Sequence, residues 1–396
     1  MTATDPPSTF LFESVRHIAS APGCSARLGD EARNLAPHGR TALLVTDAFL
    51  AGSGLLDPAR ASLAASGWCV EVHAGVTADP SEAVVEAALA QARAAAVDLV
   101  IGFGGGSSMD VAKVVACLAR PGGALRLADL YGVERVRAER VPLIQVPTTA
   151  GTGSEVTRIA IVTTGEHTKA GIVNGALLAD RVLLDATLTL GLPPAVTAAT
   201  GIDAMVHAIE AYTSVHRKNP MSDLLAREAL QRLGGHLLCA VEQGGDVVAR
   251  EQMLLGAMLA GMAFDNAPVA AVHALAYPLG GFSPLPHRLS NALGLPHVLP
   301  CNRPAAEGWY AELADVLLPA PAGERADADA RCDALIAHLA DLTRRSGLPT
   351  RLRDCGIAAE LLPTLAHSAM GQQRLLQNNP RPVTEADALA IYQAAW

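Results

Sequence analysis

The chain has 396 residues, of which 50% are hydrophobic and 17% are charged. This composition is typical of a compact globular protein and argues against extended disorder, and the length predicts two domains rather than one core. The formal net charge of -9 provides no general basic surface for nucleic acid.

Neither a targeting segment nor a membrane span is predicted. The stretch MTATDPPSTF lacks the basic segment and apolar core of a signal peptide, and no uncharged apolar run reaches membrane-spanning length. Seven cysteines are scattered without a CxxC pair, which indicates reduced thiols rather than disulfides or a structural zinc site. We therefore expect a soluble, cytoplasmic protein that binds neither membrane nor nucleic acid.

Strand-like and helical segments alternate through the first half of the chain. The strand-like runs are TALLVTDAF, CVEVHAG, VDLVI, VPLIQVP and RVLLDATL, and the helical segments DPARASLAASG and PSEAVVEAALAQARAAA separate the first three runs. This alternation predicts crossover units, and hence an α/β domain with a parallel sheet covered on both faces. We predict a dinucleotide-binding domain over residues 1–192.

The first of these runs ends in Asp47. A carboxylate at the tip of an early strand would accept hydrogen bonds from the ribose hydroxyls of a cofactor and repel a 2′-phosphate, which favours NAD over NADP. The alternative is an aspartate that caps a helix or a turn.

A glycine-rich loop follows the run VDLVI, in GFGGGSSMDVAK at residues 102–113. The three glycines leave the backbone amides open to a phosphate, and the start of the following helix adds favourable partial charge. The pattern is neither GxGxxG nor a Walker loop. We assign to cofactor binding Gly104, Gly105, Gly106, Ser107 and Asp110. The alternative is a tight strand-to-helix turn without a ligand.

A second small, hydroxyl-rich loop, TTAGTGSE, occupies residues 148–155. Its hydroxyl groups would contact the phosphates or the nicotinamide of the same cofactor, and the candidates are Thr148, Thr149, Thr152 and Ser154. The alternative is a loop that only forms a turn.

Beyond about residue 193 the sequence predicts helices. Helical segments are REALQRLGGHLLCAVEQ, REQMLLGAMLAGMAF, RCDALIAHLADLTRRSG and TEADALAIYQAAW. Thr384 and the acidic residues that follow it predict an N-cap for the last of them. We place the domain boundary between residues 190 and 195 and predict an all-α domain over residues 193–396.

The stretch GIDAMVHAIEAY, residues 201–212, contains an aspartate and a histidine four positions apart among apolar residues. On a helix of 3.6 residues per turn, Asp203 and His207 project from one face and can share one target. A carboxylate and a neutral imidazole are ordinary ligands of zinc or ferrous iron. The alternative is a partly buried hydrogen bond between the two side chains.

Two further histidines lie in the segment 266–298. His273 follows a helix-compatible run, and His287 follows the turn-rich stretch GGFSPLP. With Asp203 and His207 they offer one carboxylate and three imidazoles, which suits a catalytic divalent metal that also binds a substrate oxygen. Either histidine alone would more commonly be structural.

These motifs resemble those of the iron-containing (group III) alcohol dehydrogenases, which have the dehydroquinate-synthase-like fold. The resemblance covers almost the whole chain and rests on GFGGGSSMDVAK, PTTAGTGSE, GIDAMVHAIEAY, HALAYPLGG, PHRLSNALGLPH and NNPRPVTEADALAIYQAAW, in that order. It implies an N-terminal NAD(P)-binding domain and a helical metal-binding domain. The metal ligands that it implies are Asp203, His207, His273 and His287.

The chain departs from the family pattern at three places. Tyr277 stands where many relatives carry a histidine near the nicotinamide, and we assign it a catalytic role in proton transfer, although tyrosine, with an ordinary pKa of about 10, is a poor base near neutrality. Arg288 replaces a glycine and either faces solvent or selects an anionic substrate. The segment APVA at 267–270 replaces a glycine-containing one.

The expected activity is reversible NAD-linked oxidation of a primary or small secondary alcohol to its aldehyde or ketone, with one divalent metal, Fe²⁺ or Zn²⁺, as Lewis acid. Alternatives within the fold are a maleylacetate-type oxo-acid reductase and a hydroxyacid–oxoacid transhydrogenase. An alternative from another class is a metal-dependent hydrolase, against which the glycine loop argues. We expect NAD rather than NADP, a small-molecule substrate, and a homodimer or a higher homo-oligomer.

Overall fold

The computed structural model describes residues 9–120, 123, 125–137, 139–165, 168–283, 285–318 and 327–396. The chain forms two compact units. The N-terminal unit is Ser14–Gly191, and the C-terminal unit is Leu192–Trp396 together with residues 9–13.

The N-terminal unit is built from strands and helices in alternation. Its strands are β1 (Ile18–Ser20), β2 (Thr41–Asp47), β3 (Cys69–Val76), β4 (Leu99–Gly104), β5 (Gly132–Val133), β6 (Leu143–Pro147), β7 (Ile159–Thr163), β8 (Lys169–Val173) and β9 (Arg181–Leu184). Its α-helices are α1 (Leu28–Leu35), α2 (Ala48–Gly52), α3 (Asp57–Ala65), α4 (Glu82–Ala94), α5 (Gly106–Leu118) and α6 (Leu127–Leu130). Short 3-10 helices cover Cys24–Arg27, Ser154–Val156, Gly175–Leu177 and Ala186–Thr189.

Six of the strands form one parallel sheet in the order β1-β9-β6-β4-β2-β3, which confirms the predicted α/β class. The chain runs from β2 outward to β3 and then returns past β2 to β4, so the strand order reverses between β2 and β4. Open α/β sheets bind ligands at such a reversal, beyond the carboxyl ends of the strands. Asp47 ends β2 and Gly104 ends β4, so two of the predicted cofactor residues lie at this point.

The central strand β4 shows why the sequence produces a covered parallel sheet. Leu99, Ile101 and Phe103 face a core cluster that also contains Trp68, and all four side chains are buried. Val100 points to the opposite face and is buried as well. A strand buried on both faces reads as a continuous apolar run, which is the pattern of VDLVI.

A second, three-stranded sheet with the order β5-β8-β7 was not predicted. In it β7 and β8 pair antiparallel, and β5 pairs parallel to β8. The backbone amide of Ile161 on β7 donates to the Asp110 carboxylate on α5, which ties this sheet to the helix that follows the glycine loop.

The described regular elements of the C-terminal unit are all helical, as predicted. The α-helices are α7 (Pro194–Thr213), α8 (Pro220–Glu242), α9 (Val247–Asn266), α10 (Ala271–Phe282), α11 (His287–Leu317), α12 (Ala328–Arg345), α13 (Leu362–Ala369), α14 (Gln373–Leu376) and α15 (Glu385–Ala395). Short 3-10 helices cover Leu352–Cys355 and Ala359–Leu361. The N-cap predicted for the last helix is confirmed, because the Thr384 hydroxyl accepts from the Asp387 amide and the Asp387 carboxylate accepts from Thr384.

Helix α9 packs against α7 and α8. Among the described helices it has the length and apolar composition to cross a membrane, yet most of its residues are buried inside the protein, as in a core helix. Its last residue, Asn266, holds the N-terminal segment: the Glu13 amide donates to Asn266 Oδ1, and Asn266 Nδ2 donates to the Glu13 carbonyl, both at 2.9 Å.

Candidate metal centre and cofactor loops

Helix α7 carries three polar side chains on one buried face. Asp203, His207 and Glu210 are separated by four and three residues, so they follow one another along the helix surface. Their exposed fractions are 1%, 6% and 4%. Burying two carboxylates and an imidazole is unfavourable unless each finds a partner, so this face requires groups from other elements.

Two of these groups come from α10 and α11. His273 lies in the first turn of α10, and His287 is the first residue of α11. The structure brings Asp203, His273 and His287 together, with one potential ligand atom from each within 4.8 Å of the others. The three residues are far apart in sequence, and all of them belong to the C-terminal unit.

His207 lies beside this cluster. Its ring stacks on that of His273 at a centroid distance of 4.7 Å and on that of Phe264 at 4.4 Å. Among the described residues it is not one of the three whose ligand atoms converge. Its assignment as a fourth ligand therefore stays a prediction.

The electrostatics around Asp203 favour its ionised form. Burial alone would raise the pKa of this carboxyl, but the surrounding histidines and a hydrogen bond from Asn291 outweigh burial and leave the pKa below its usual value. Among the histidines His207 has the largest effect, followed by His287 and His273. Positive charge at this position stabilises the carboxylate, and a divalent cation would act in the same direction.

Two residues that the sequence interpretation missed support the cluster. Asn291, one turn after His287 on α11, donates from Nδ2 to Asp203 Oδ1 at 2.6 Å. Glu210 faces His273, and its Oε2 lies 2.6 Å from His273 Nδ1. A signal for both exists in the sequence, because each lies one helical turn after a predicted ligand.

The donor set fits a divalent metal. With Nδ1 of His273 facing the Glu210 carboxylate, Nε2 of His273 is buried and has no hydrogen-bond partner in the part of the chain that the structure describes. A buried polar atom without a partner is costly in a folded protein unless a ligand completes it. Imidazole nitrogen and carboxylate oxygen are suitable ligands for iron(II) or zinc.

Two of the departures from the family pattern lie next to the cluster. The ring of Tyr277 stacks on that of His287, with centroids 5.2 Å apart and an interplanar angle of 24°. Arg288 follows His287 directly; it is partly buried and forms no ion pair with any other described residue. The predicted roles of both in catalysis and substrate selection remain predictions.

The two predicted cofactor loops leave neighbouring strands of the main sheet. β4 pairs with β6, and the Thr148 amide donates to the Gly104 carbonyl at 3.0 Å. A side chain at Gly104, whose φ is +155°, would place its Cβ 2.7 Å from Ser108 Oγ. A Cβ on Gly106 would lie 2.9 Å from Thr152 Cγ2. Close packing therefore favours glycine at both positions. Helix α5 begins at Gly106, inside the glycine-rich motif, whereas the sequence interpretation placed a helix only after that motif.

A buried network of charged groups connects these loops. Lys113, which is fully buried, donates to Ser154 Oγ at 2.9 Å, to Thr157 Oγ1 at 3.1 Å and to the Ile159 carbonyl at 2.7 Å. The Ser154 hydroxyl in turn donates to Asp110 at 2.6 Å. Asp110 and Ser154 thus bond to the protein itself, and the sequence interpretation missed Lys113 because a lysine in a helix is usually exposed.

Two other predicted cofactor residues have different surroundings. The Asp47 carboxylate accepts from the Leu50 amide at 2.9 Å and caps α2, which is the alternative that the sequence left open. This contact occupies one of its two oxygens, so the ribose contact stays a prediction. Thr149 Oγ1 is buried and has no hydrogen-bond partner among the described residues. Ser107 and Gly105 lie at the start of α5.

Comparison with known proteins agrees with the motifs. The family model of the iron-containing alcohol dehydrogenases matches residues 16–186. A second family model, for the C-terminal part of the Fe-containing alcohol dehydrogenases, matches residues 197–396. Long-chain-alcohol dehydrogenase 1 of Geobacillus thermodenitrificans is 42% identical over 357 residues, 89% of each chain.

Two further relatives cover nearly the full length. Sulfoacetaldehyde reductase of Bilophila wadsworthia is 33% identical over 97% of this chain and 98% of its own. The crystal structure of a 1,3-propanediol oxidoreductase matches with a TM-score of 0.93 at 34% identity, over 98% of this chain and 100% of that one.

The resemblance inferred from the motifs is therefore confirmed. Membership implies a divalent metal and a nicotinamide dinucleotide, and it leaves the hydrolase alternative without support. The chain belongs to the iron-containing alcohol dehydrogenase family and is a metal-dependent oxidoreductase that interconverts alcohols and aldehydes.

Proposed function

We propose that the divalent metal of this enzyme is held by four ligands in the C-terminal unit: Asp203, His207, His273 and His287. The observation that carries this proposal is the convergence of one carboxylate and two imidazoles within 4.8 Å. The buried Nε2 of His273, which has no hydrogen-bond partner among the described residues, also supports the proposal. The metal is Fe²⁺ or Zn²⁺, since both accept this ligand set and cellular supply helps to decide between them.

The chemistry divides between the bound groups and the protein. When bound, the metal supplies Lewis acidity toward an alcohol or carbonyl oxygen, and the nicotinamide gives or accepts a hydride. The protein must move one proton to or from the substrate oxygen. Tyr277 is our candidate, because its ring is held against His287 and its hydroxyl can both donate and accept a hydrogen bond.

The N-terminal unit would hold NAD at the strand reversal between β2 and β4. Pyrophosphate would bind at the start of α5, at Gly104, Gly105, Gly106 and Ser107. In the second loop, Thr149 would contact the cofactor through its buried hydroxyl, which has no hydrogen-bond partner among the described residues. Thr148 and Thr152 lie on either side of Thr149 in the sequence. Asp110 and Ser154 would act by keeping the two loops together. Asp47 favours NAD over NADP through repulsion of a 2′-phosphate.

Arg288 favours a second candidate within the same chemistry. A partly buried arginine next to a proposed metal ligand, with no ion pair to another described residue, suits an aldehyde that carries an anionic group. One relative is named for sulfoacetaldehyde, an aldehyde of this kind, whereas others are named for long-chain alcohols and 1,3-propanediol. Oxo acids such as maleylacetate belong to the same anionic class.

The test combines metal analysis with cofactor kinetics. Protein purified without oxygen is analysed for metal, and absorbance of NADH is followed with neutral and anionic aldehydes, with and without added Fe²⁺ or Zn²⁺. We expect turnover that depends on metal. His273→Ala should lose metal and turnover together, whereas His297→Ala, on α11 and outside the cluster, should lose neither. Full activity of His273→Ala without bound metal would refute the ligand assignment.

We also propose a cytoplasmic location and a homodimer or larger homo-oligomer. Seven free cysteines agree with a reducing compartment. The oligomer is inferred from the family alone, and light scattering coupled to size-exclusion chromatography would measure it.

A further inference from the structure

A buried carboxylate on α7 contacts three groups at the start of α10. Glu210 Oε2 lies 2.6 Å from His273 Nδ1 and accepts from the Ala270 amide at 3.0 Å, and Glu210 Oε1 accepts from the Val272 amide at 2.6 Å. With 4% of Glu210 exposed, these contacts replace water as its hydrogen-bond partners. Both oxygens of this side chain are therefore used within one short segment.

Two of the three contacts fix where α10 begins. The N-cap position of this helix is Ala270, whose side chain cannot cap, and the first turn contains no acidic residue. The first amides of a helix lack partners within the helix, and negative charge is favourable at its N-terminus. Glu210 supplies both the acceptors and the charge from a different helix.

The third contact decides which nitrogen of His273 carries the proton. A carboxylate can only accept hydrogen bonds, so Nδ1 of His273 must be the protonated nitrogen. Nε2 then presents its lone pair, and this is the atom without a hydrogen-bond partner among the residues described. His273 can therefore bind a metal through Nε2, together with the nearby ligand atoms of Asp203 and His287.

We propose that Glu210 is a positioning residue of the metal site, which sets both the tautomer of His273 and the place of that side chain on α10. This inference rests on the proposed metal site and assigns Glu210 no direct contact with metal or substrate. Outer carboxylates of this kind hold metal-binding histidines in their ligating orientation.

The contact pattern requires a carboxylate rather than an amide. In Glu210→Gln the side-chain amide can take two orientations. If its oxygen faces His273 and Ala270, its NH₂ group faces the Val272 N–H, and two donors meet. In the opposite orientation the amide group meets the Ala270 N–H and donates to His273 Nδ1, which moves the imidazole proton to Nε2 and blocks the ligating lone pair. Either arrangement weakens the site.

The fold around α10 has other supports that the substitution leaves in place. Asn378 Nδ2 donates to the Val269 carbonyl at 2.9 Å, and the Tyr392 hydroxyl donates to the Leu275 carbonyl at 2.6 Å. We therefore expect Glu210→Gln to fold. Glu312→Gln is the matched control, because Glu312 accepts from a buried tyrosine, Tyr212, in the same unit but does not contact His273.

The first experiment measures Zn²⁺ affinity of the full chain by competition with a chelator, together with the absorption spectrum of the Co²⁺-loaded protein. We expect the Kd of Glu210→Gln to rise roughly 10- to 100-fold and its Co²⁺ bands to shift, with unchanged circular dichroism. Glu312→Gln should match the wild type in both. A wild-type Kd and wild-type Co²⁺ bands in Glu210→Gln would overturn the inference.

A second measurement needs no Glu210 variant. In metal-free wild-type protein labelled with ¹⁵N-histidine, the His273 signals, identified by their loss in His273→Gln, should report protonation at Nδ1. A neutral His273 ring that carries its proton on Nε2 would overturn the inference even if Glu210→Gln does not fold. If the wild-type protein binds no metal, both the proposed metal site and the role of Glu210 fail. If metal binding is lost in His273→Ala but kept in Glu210→Gln, only the role of Glu210 fails.

Discussion

Glu155, in the second cofactor loop, should make the stability of the N-terminal unit depend on pH. Its side chain is 2% exposed. Burial raises the pKa of Glu155 from its ordinary value of 4.5 to about 7, and its own backbone amide and the positive charge of Lys113 offset only part of that effect. The substitution Glu155→Gln keeps the shape of the side chain and removes its ionisation.

The magnitude follows from the two pKa values. Each pKa unit corresponds to about 1.4 kcal/mol, so ionised Glu155 should destabilise the native unit by about 3 kcal/mol. Below pH 4.5 the carboxyl is protonated in both states and nothing is lost. Between pH 4.5 and about 7 the unfolded chain releases a proton that the native protein keeps, so the free energy of unfolding falls as the pH rises. Above about pH 7 the native unit keeps the full destabilisation of about 3 kcal/mol.

Urea unfolding of Glu155→Gln and wild type at pH 5 to 8 measures this effect. Trp68 reports on the N-terminal unit in a background where Trp309 and Trp396 are replaced by phenylalanine, since the chain has three tryptophans. We expect the variant to gain stability over wild type progressively as the pH rises. Glu139→Gln, at a carboxylate that is 81% exposed, should show no such trend. A difference between Glu155→Gln and wild type that stays constant with pH would refute the reasoning.

Substitutions at three further positions test other parts of the molecule. Lys113→Met should destabilise the N-terminal unit by about 3 kcal/mol in urea unfolding, because it leaves buried acceptors and the Asp110 carboxylate without their cation. Asp47→Asn keeps the cap of α2 but removes the charge, so the ratio of kcat/KM for NADPH to that for NADH should rise about tenfold or more. Tyr277→Phe should lower kcat near neutral pH about 100-fold with little change in KM, and Tyr277→His should restore it.

Each of these substitutions has a contrary outcome. Lys169→Met, which breaks a surface ion pair with Asp79, is the control for Lys113→Met, and equal losses in the two would contradict a special role for the buried lysine. An unchanged cofactor ratio in Asp47→Asn would remove Asp47 from the ribose site. Full turnover by Tyr277→Phe would show that the proton takes another route.

Much of the fold follows from local patterns. Runs such as VDLVI read as buried strands because both faces of a parallel sheet are covered, and the alternation with helices predicts crossover connections. The N-cap at Thr384 is equally local, since it depends on a few adjacent residues. The small sheet of β5, β7 and β8 was not predicted, because β5 has only two residues and the five-residue sequences IAIVT and KAGIV of β7 and β8 do not alternate polar with apolar residues.

The candidate site divides in the same way. The sequence by itself determined that Asp203 and His207 share one face of a helix, because the helical repeat alone sets that geometry. Only the tertiary structure decided that His273 and His287 meet Asp203, since the distance between residues on different helices depends on packing and not on spacing in the chain. The same packing places the Glu210 carboxylate against His273 Nδ1, and a proton held on that nitrogen leaves the lone pair of Nε2 for a metal.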